Sequence, residues 1–275
     1  GTGPRPLSWD GILLVDAHVH CHRNLGPVAF LDHAARNFCA GATACGLRPA
    51  VGVLLFSEMP EAGVFAGIGA CERVGDWAIR PTGEAVSLIA ERPGALPLVL
   101  VAGRQIVTRE GLEILILGAP GPFAESVDLA TGVAMGQAAG GLAVLPWGFG
   151  KWWGRRGRIL DRFLATATPG TVFLGDNGGR FAGAGAPAQF ALARRRCIPI
   201  LPGSDPLPLP GDAHRAGSYG FVLDGPLDST RPAAALKARL LAMRDQPRGF
   251  GRLQPLWRFL ANQVGMQWRK RMPGS

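Results

Sequence analysis

The chain contains no C-x-x-C pair, and its five cysteines, Cys21, Cys39, Cys45, Cys71 and Cys197, are scattered and odd in number. That argues against a disulfide framework and for a reducing compartment. No apolar run approaches the roughly 20 residues of a membrane span. The longest runs, such as Ala50 to Phe56, have strand length. Residues 1–10 carry no signal-peptide pattern. There is no P-loop and no dinucleotide fingerprint, because Gly148-Phe149-Gly150-Lys151 has the spacing of neither. No G-x-S-x-G elbow is present, and no repeat of fixed period. The expectation is a soluble, cytoplasmic protein.

What is present is a large apolar fraction, 47% of 275 residues, enough for one large domain or two small ones. The 40 glycines and 23 prolines are not periodic and imply many turns and short elements. The net charge of +9 is concentrated at one end: nine basic residues and one acid, Asp245, follow from Lys237 onward. Residues 1–245 are expected to form a single domain and 246–275 a basic helical extension.

Strand-like and helix-like runs alternate. Strands are expected at Ile12–Val15, Ala50–Phe56, Leu98–Ala102, Glu113–Leu117, Leu142–Leu145, Thr171–Leu174, Ile198–Leu201 and Tyr219–Leu223. Helices are expected at 27–45, 124–139, 159–167, 187–196, 232–243 and 255–271. Alternation argues for an α/β protein with a parallel sheet covered by helices. With an H-x-H leaving the first strand, the expected architecture is a (β/α) barrel, TIM-like. In such a barrel the chemistry sits at the C-terminal strand ends.

The first strand runs into Asp16-Ala17-His18-Val19-His20. Side chains at i and i+2 of a strand share a face, so His18 and His20 can grip one metal ion. Imidazole suits zinc, iron and similar ions. Asp205, after the Ile198 strand, can complete a site of two imidazoles, one carboxylate and water. Ser57-Glu58-Met59 follows the second strand. Lys151-Trp152-Trp153-Gly154-Arg155-Arg156-Gly157-Arg158 carries four cations suited to an anionic group. Asp176, Asn177 and Arg180 lie in a glycine-rich stretch. His33 and His214 read as structural or exposed.

These residues resemble the PHP family, the polymerase and histidinol phosphatase domain of metal-dependent phosphoesterases. Val15-Asp16-Ala17-His18-Val19-His20 is similar to its opening H-x-H motif. Gly103-Arg104-Gln105-Ile106-Val107-Thr108, running into Glu113–Gly118, is similar to its G-x-E-I-T region. Gly203-Ser204-Asp205 is similar to the start of its closing S-D-A-H. The resemblance implies a distorted barrel of seven β/α units holding up to three metals. The chain departs from the family where Met59, Gln105, Leu145 and Leu207 replace its His, Glu, His and His. What remains is His18, His20 and Asp205, with Glu58 as a helper. A weaker similarity is to the amidohydrolase superfamily, which pairs a first-strand H-x-H with a late Asp.

The expected function is therefore a metal-dependent hydrolase, most simply a phosphoesterase. His18, His20 and Asp205 would hold one or two divalent ions (zinc, manganese or iron). Asp205 or Glu58 would take the proton from the attacking water. Lys151, Arg155 and Arg156 would hold a small anionic substrate. The alternatives are a C–N hydrolase and a degenerate barrel serving as a binding or scaffold module. In the tail, Leu253, Leu256, Trp257, Leu260, Val264 and Trp268 fall near one helical face, with Arg258, Arg269, Lys270 and Arg271 around it. The preferred expectation is a helix docked on the domain with a solvated basic end. Contact with an anionic membrane or with nucleic acid is the alternative.

Overall fold

A computed structural model describes residues 8–119 and 121–271. In chain order the elements begin with β1 (Ser8–Trp9), β2 (Ile12–Val19), α1 (Pro27–Ala44), β3 (Pro49–Phe56) and α2 (Val64–Gly69). A run of strands follows: β4 (Arg73–Val74), β5 (Trp77–Pro81), β6 (Ser87–Glu91), β7 (Leu98–Val101), β8 (Gly103–Val107) and β9 (Glu113–Leu117). Helices and strands then alternate as α3 (Leu129–Ala138), β10 (Leu142–Pro146), α4 (Gly154–Thr166), β11 (Phe173–Asn177), α5 (Ala188–Arg195) and β12 (Ile200–Gly203). The chain continues through β13 (Tyr219–Asp224), β14 (Leu227–Asp228), α6 (Pro232–Ala242), β15 (Arg248–Gly251) and α7 (Leu256–Arg271).

The described residues form three sheets. One has eight strands in the order β15-β13-β2-β3-β7-β6-β5-β4, one has five in the order β12-β11-β10-β9-β8, and β1 pairs with β14. The expected (β/α) barrel, TIM-like or seven-unit, is not what the chain builds. A barrel of that kind needs each strand parallel to its neighbours. Here eight strand pairings are antiparallel and four are parallel, so the architecture is α+β with mixed sheets. The physical reason lies between β3 and β9. Where a barrel would place crossover helices, the chain makes tight reversals. Gly75, at φ 57°, and Asp76 form a two-residue connection between β4 and β5. A loop closed by Thr108 and Leu112 joins β8 to β9, with the Thr108 N–H donating to the Leu112 carbonyl at 2.8 Å.

Period-2 alternation decides what each sheet face buries. Leu13 and Val15 of β2, with Val51, Val53 and Leu55 of β3, pack against Leu115 and Leu117 of β9, Val144 of β10 and Phe173 of β11. The inner faces of the two large sheets thus share one core, closed at one end by Leu236 and Leu240 of α6. Leu14, Leu54 and Phe56 face outward onto Phe30, Leu31 and Phe38 of α1. Ile114, Ile116 and Leu174 face outward onto Val133 of α3, Leu160 and Leu164 of α4, and Phe190 of α5. Gly52 has a packing cause: a Cβ there would lie 2.4 Å from the Phe38 ring.

The two large sheets are stitched together at both sides. The Asp205 N–H, just beyond β12, donates to the carbonyl of His18 near the end of β2 at 2.8 Å. The Glu58 N–H donates to the Gly103 carbonyl at 3.1 Å, and the Gln105 N–H donates to the Glu58 carbonyl at 2.9 Å. At the basic end, β15 pairs with β13, so residues 248–251 belong to the large sheet. Among the described residues, no helix is long and apolar enough to cross a membrane.

Candidate metal centre

The first of these seams is where the chemistry collects. β2 loses its regular register between Asp16 and Val19, and that irregularity releases His18 and His20 at the strand end. Asp205 follows β12 in a left-handed conformation, φ 43°, which a short polar side chain tolerates. His18 Nε2 and His20 Nε2 are 3.0 Å apart, and each is 3.4 Å from Asp205 Oδ1. A point equidistant from three atoms with those separations lies about 1.9 Å from each, close to zinc–nitrogen and zinc–oxygen bond lengths. The donor set therefore fits a divalent ion held by three protein ligands. A fourth position would be left for water.

The electrostatics favour the same reading. Burial pushes His18 down to about 4 against the opposing pull of the Asp205 carboxylate, so at neutral pH its ring is uncharged and keeps a lone pair. Burial opposes ionisation of Asp205, but His18, His20 and Asn177 outweigh it and hold the carboxyl below the usual carboxylate range. Asn177 Nδ2 donates to Asp205 Oδ2 at 2.5 Å and so orients the carboxylate. Cys21 is not among the donors that converge. Burial, reinforced by the Glu58 charge, pushes its thiol up to about 12.

Asp16 holds the framework of the site. Its buried carboxyl accepts from the Ser204 N–H at 2.8 Å, the Ser204 hydroxyl at 2.5 Å, the Gly217 N–H at 2.8 Å and the His18 N–H at 3.2 Å. Burial pushes it up to about 7, while the four donors pull the other way. Gly203 has no room for a side chain, because a Cβ would lie 2.5 Å from the His18 backbone nitrogen. His22 stacks on His20 at 5.7 Å between ring centres, and its Nε2 lies 2.6 Å from the Pro206 carbonyl.

The three donors open into a cleft of about 240 Å³ walled by Gln105, Glu113, Lys151, Met59 and Met266. Gln105 is buried beside His18, and its Oε1 makes no hydrogen bond. An orphaned buried oxygen is costly unless something else takes it up. Its place next to the imidazoles makes it a candidate for an ion or its water. Lys151 crosses the cleft to form an ion pair with Glu113.

Of the residues expected from sequence, His18, His20 and Asp205 converge, and Lys151 joins them at the cleft. Glu58, expected as a proton acceptor, does not. Its Oε1 accepts from the Phe65 N–H at 2.7 Å at the start of α2, and its Oε2 lies 3.5 Å from Arg104. Arg155 and Arg156, expected to hold substrate, also lie off the cleft. Arg155 is exposed in the first turn of α4, and Arg156 donates to the Gly150 carbonyl at 3.0 Å. Asp176 is occupied by the Arg180 guanidinium at 2.9 and 3.0 Å and the Tyr219 hydroxyl at 2.7 Å. Glu113 escaped the sequence reading, although the alternation of β9 carried the signal. It shares its face with Leu115 and Leu117, which point into the inner core.

No family model matches the sequence, and no curated protein matches it. Among solved structures the chain is similar to PsfC from Pseudomonas syringae PB-5123, with 15% sequence identity and a TM-score of 0.55. The similarity covers 93% of this chain and 98% of PsfC, so it concerns the whole fold rather than one motif.

Proposed function

We propose that the protein is a metal-dependent hydrolase acting on a small anionic substrate, a phosphoester above all. The observation that carries this reading is the convergence of His18, His20 and Asp205 within 4.8 Å of one another at the floor of a cleft. The resemblance of these three positions to PHP phosphoesterase motifs supports it.

His18 and His20 present imidazole nitrogens, and Asp205 adds a carboxylate oxygen steadied by Asn177. A divalent ion held by these residues, zinc, manganese or iron, would supply Lewis acidity and lower the pKa of water in the site toward 7. Glu113, which lines the cleft beside the ligand Asp205, would be the carboxylate placed to accept a proton. Lys151 offers its ammonium to the anionic end of the substrate, which competes for it with Glu113.

The test is the metal content of the purified protein by mass spectrometry, beside a His18→Ala/His20→Ala variant. At least one equivalent of metal, lost in the variant, is expected. Phosphoester and amide substrates are then screened. Lys151→Ala should raise KM for a phosphoester more than for a neutral ester. A chain that takes up no metal on reconstitution refutes the hydrolase reading and leaves a binding module. Amide turnover without phosphoester turnover would make it a C–N hydrolase.

A further inference from the structure

Helix α7 has two contrasting faces. Phe259, Asn262 and Met266 turn inward. Phe259 packs on Phe149 and Phe181 at 5.1 and 6.4 Å between ring centres. Asn262 donates to Asp212 at 3.1 Å, and Met266 roofs the metal cleft. The opposite face carries Trp257, Leu260, Val264 and Trp268, which are 70%, 52%, 57% and 63% exposed. Their spacing of i, i+3, i+7 and i+11 makes one continuous stripe. A soluble domain does not ordinarily leave such a stripe uncovered. α7 also contains Arg258, Arg269, Lys270 and Arg271 and not one acidic residue.

We infer that this outer face of α7 seats the protein on an anionic lipid surface, with the helix lying in the plane of the interface. Three observations choose this occupant. The stripe is aliphatic in its middle and carries a tryptophan near each end, which suits acyl chains below and headgroups at the rim. Lys270 and Arg271, exposed at its C-terminal end, complement anionic headgroups. A second copy of α7 would bring no carboxylate to answer these cations. Leu260 and Val264 offer nucleic acid bases neither a stacking plane nor a hydrogen bond.

The seating has a structural consequence for the site. Arg258 donates to the Gly211 carbonyl, and Arg269 donates to the Pro208 carbonyl at 2.7 Å. Both carbonyls belong to the loop that follows Asp205. The metal cleft is therefore held against the inner face of the helix whose outer face meets the lipid.

The experiment is vesicle flotation of the full chain at low salt, with phosphatidylcholine alone or mixed with phosphatidylserine. The wild type should float with the mixed vesicles, show a blue shift in tryptophan emission, and fall off as salt is raised. Trp257→Ser/Trp268→Ser should abolish flotation. Lys270→Gln/Arg271→Gln should weaken it roughly thirtyfold, given the contribution of each cation near an anionic surface. All four side chains are exposed, and circular dichroism verifies that each variant keeps the fold. The inference is overturned by wild-type protein that neither floats nor shifts its emission. It is equally overturned by flotation indifferent to the tryptophan pair, by a dimer that the tryptophan variant dissolves, or by tighter binding to a single-stranded oligonucleotide than to mixed vesicles.

Discussion

Replacing Asp212 by asparagine exchanges one oxygen for an NH₂ group at the most heavily loaded carboxylate beside the site. Asp212 is wholly buried. Its Oδ1 accepts from Gln254 Nε2 and Asn262 Nδ2 at 3.1 Å each and from Arg215 Nη1 at 3.3 Å. Its Oδ2 accepts from the Leu207 N–H at 2.8 Å and from Arg215 Nη1 at 3.4 Å. Every partner is a donor. The new amide keeps its oxygen where three donors meet and turns its own N–H groups on Leu207 and Arg215. One backbone bond is lost, at about 1 kcal/mol, and its donor is left facing another donor. The Arg215 guanidinium, itself buried, loses its counter-charge, a loss worth about 3–5 kcal/mol when one partner of a buried pair is removed. The expected destabilisation is therefore about 4–6 kcal/mol, read by urea unfolding monitored with far-ultraviolet circular dichroism. Adding Arg215→Met should recover a good part of it, because the stranded charge goes with the arginine. A loss under about 1 kcal/mol, the worth of one ordinary hydrogen bond, would refute the reasoning. So would a double variant whose loss is simply the sum of the single losses.

Asn177→Ala removes the donor that orients Asp205 and should weaken metal binding about 10–100-fold, measured by competition with a chromophoric chelator. Gln105→Glu puts a carboxylate where an amide oxygen now has no partner. It should tighten divalent metal binding at least about tenfold, because charged oxygen is the better ligand for hard and borderline ions. Unchanged affinity would show that Gln105 does not face the ion. Lys237 reaches from α6 to the carbonyls of Gly118 and Gly140 at 2.7 and 2.8 Å, and burial pushes its ammonium below the usual lysine range. Lys237→Met should cost about 1–3 kcal/mol in urea unfolding by stranding the buried Gly118 carbonyl.

Much of the local structure was legible because it rests on short-range physics. The strand before His18, the run from Ala50 to Phe56 and the helix that begins at Pro27 follow from apolar periodicity and from proline at the first helical turn. The meander from Arg73 to Glu91 was missed. Its strands are short, and the signal of the Gly75-Asp76 turn is only two residues long. That miss produced the barrel expectation, since a crossover helix and a chain of tight turns occupy the same stretch of sequence. Arg155 and Arg156 looked like substrate ligands because charge density is visible in a sequence. The direction in which α4 carries them is not.

The sequence by itself determined the chemistry available: two imidazoles at strand spacing, a later aspartate, and a helix with an apolar stripe and only positive charge. Those properties depend on residue type and on separations of a few positions. Tertiary structure alone decided which groups meet. Asp205 stands beside His18 because Asp16 ties Ser204 and Gly217 to the end of β2 through hydrogen bonds that span about two-thirds of the chain. Glu58 is turned away because the start of α2 claims its carboxylate. The outer face of α7 stays exposed because its inner face is taken up by Asp212 and the loop beyond Asp205. Contacts of such long range obey no local periodicity, so they could be found only where the chain had folded.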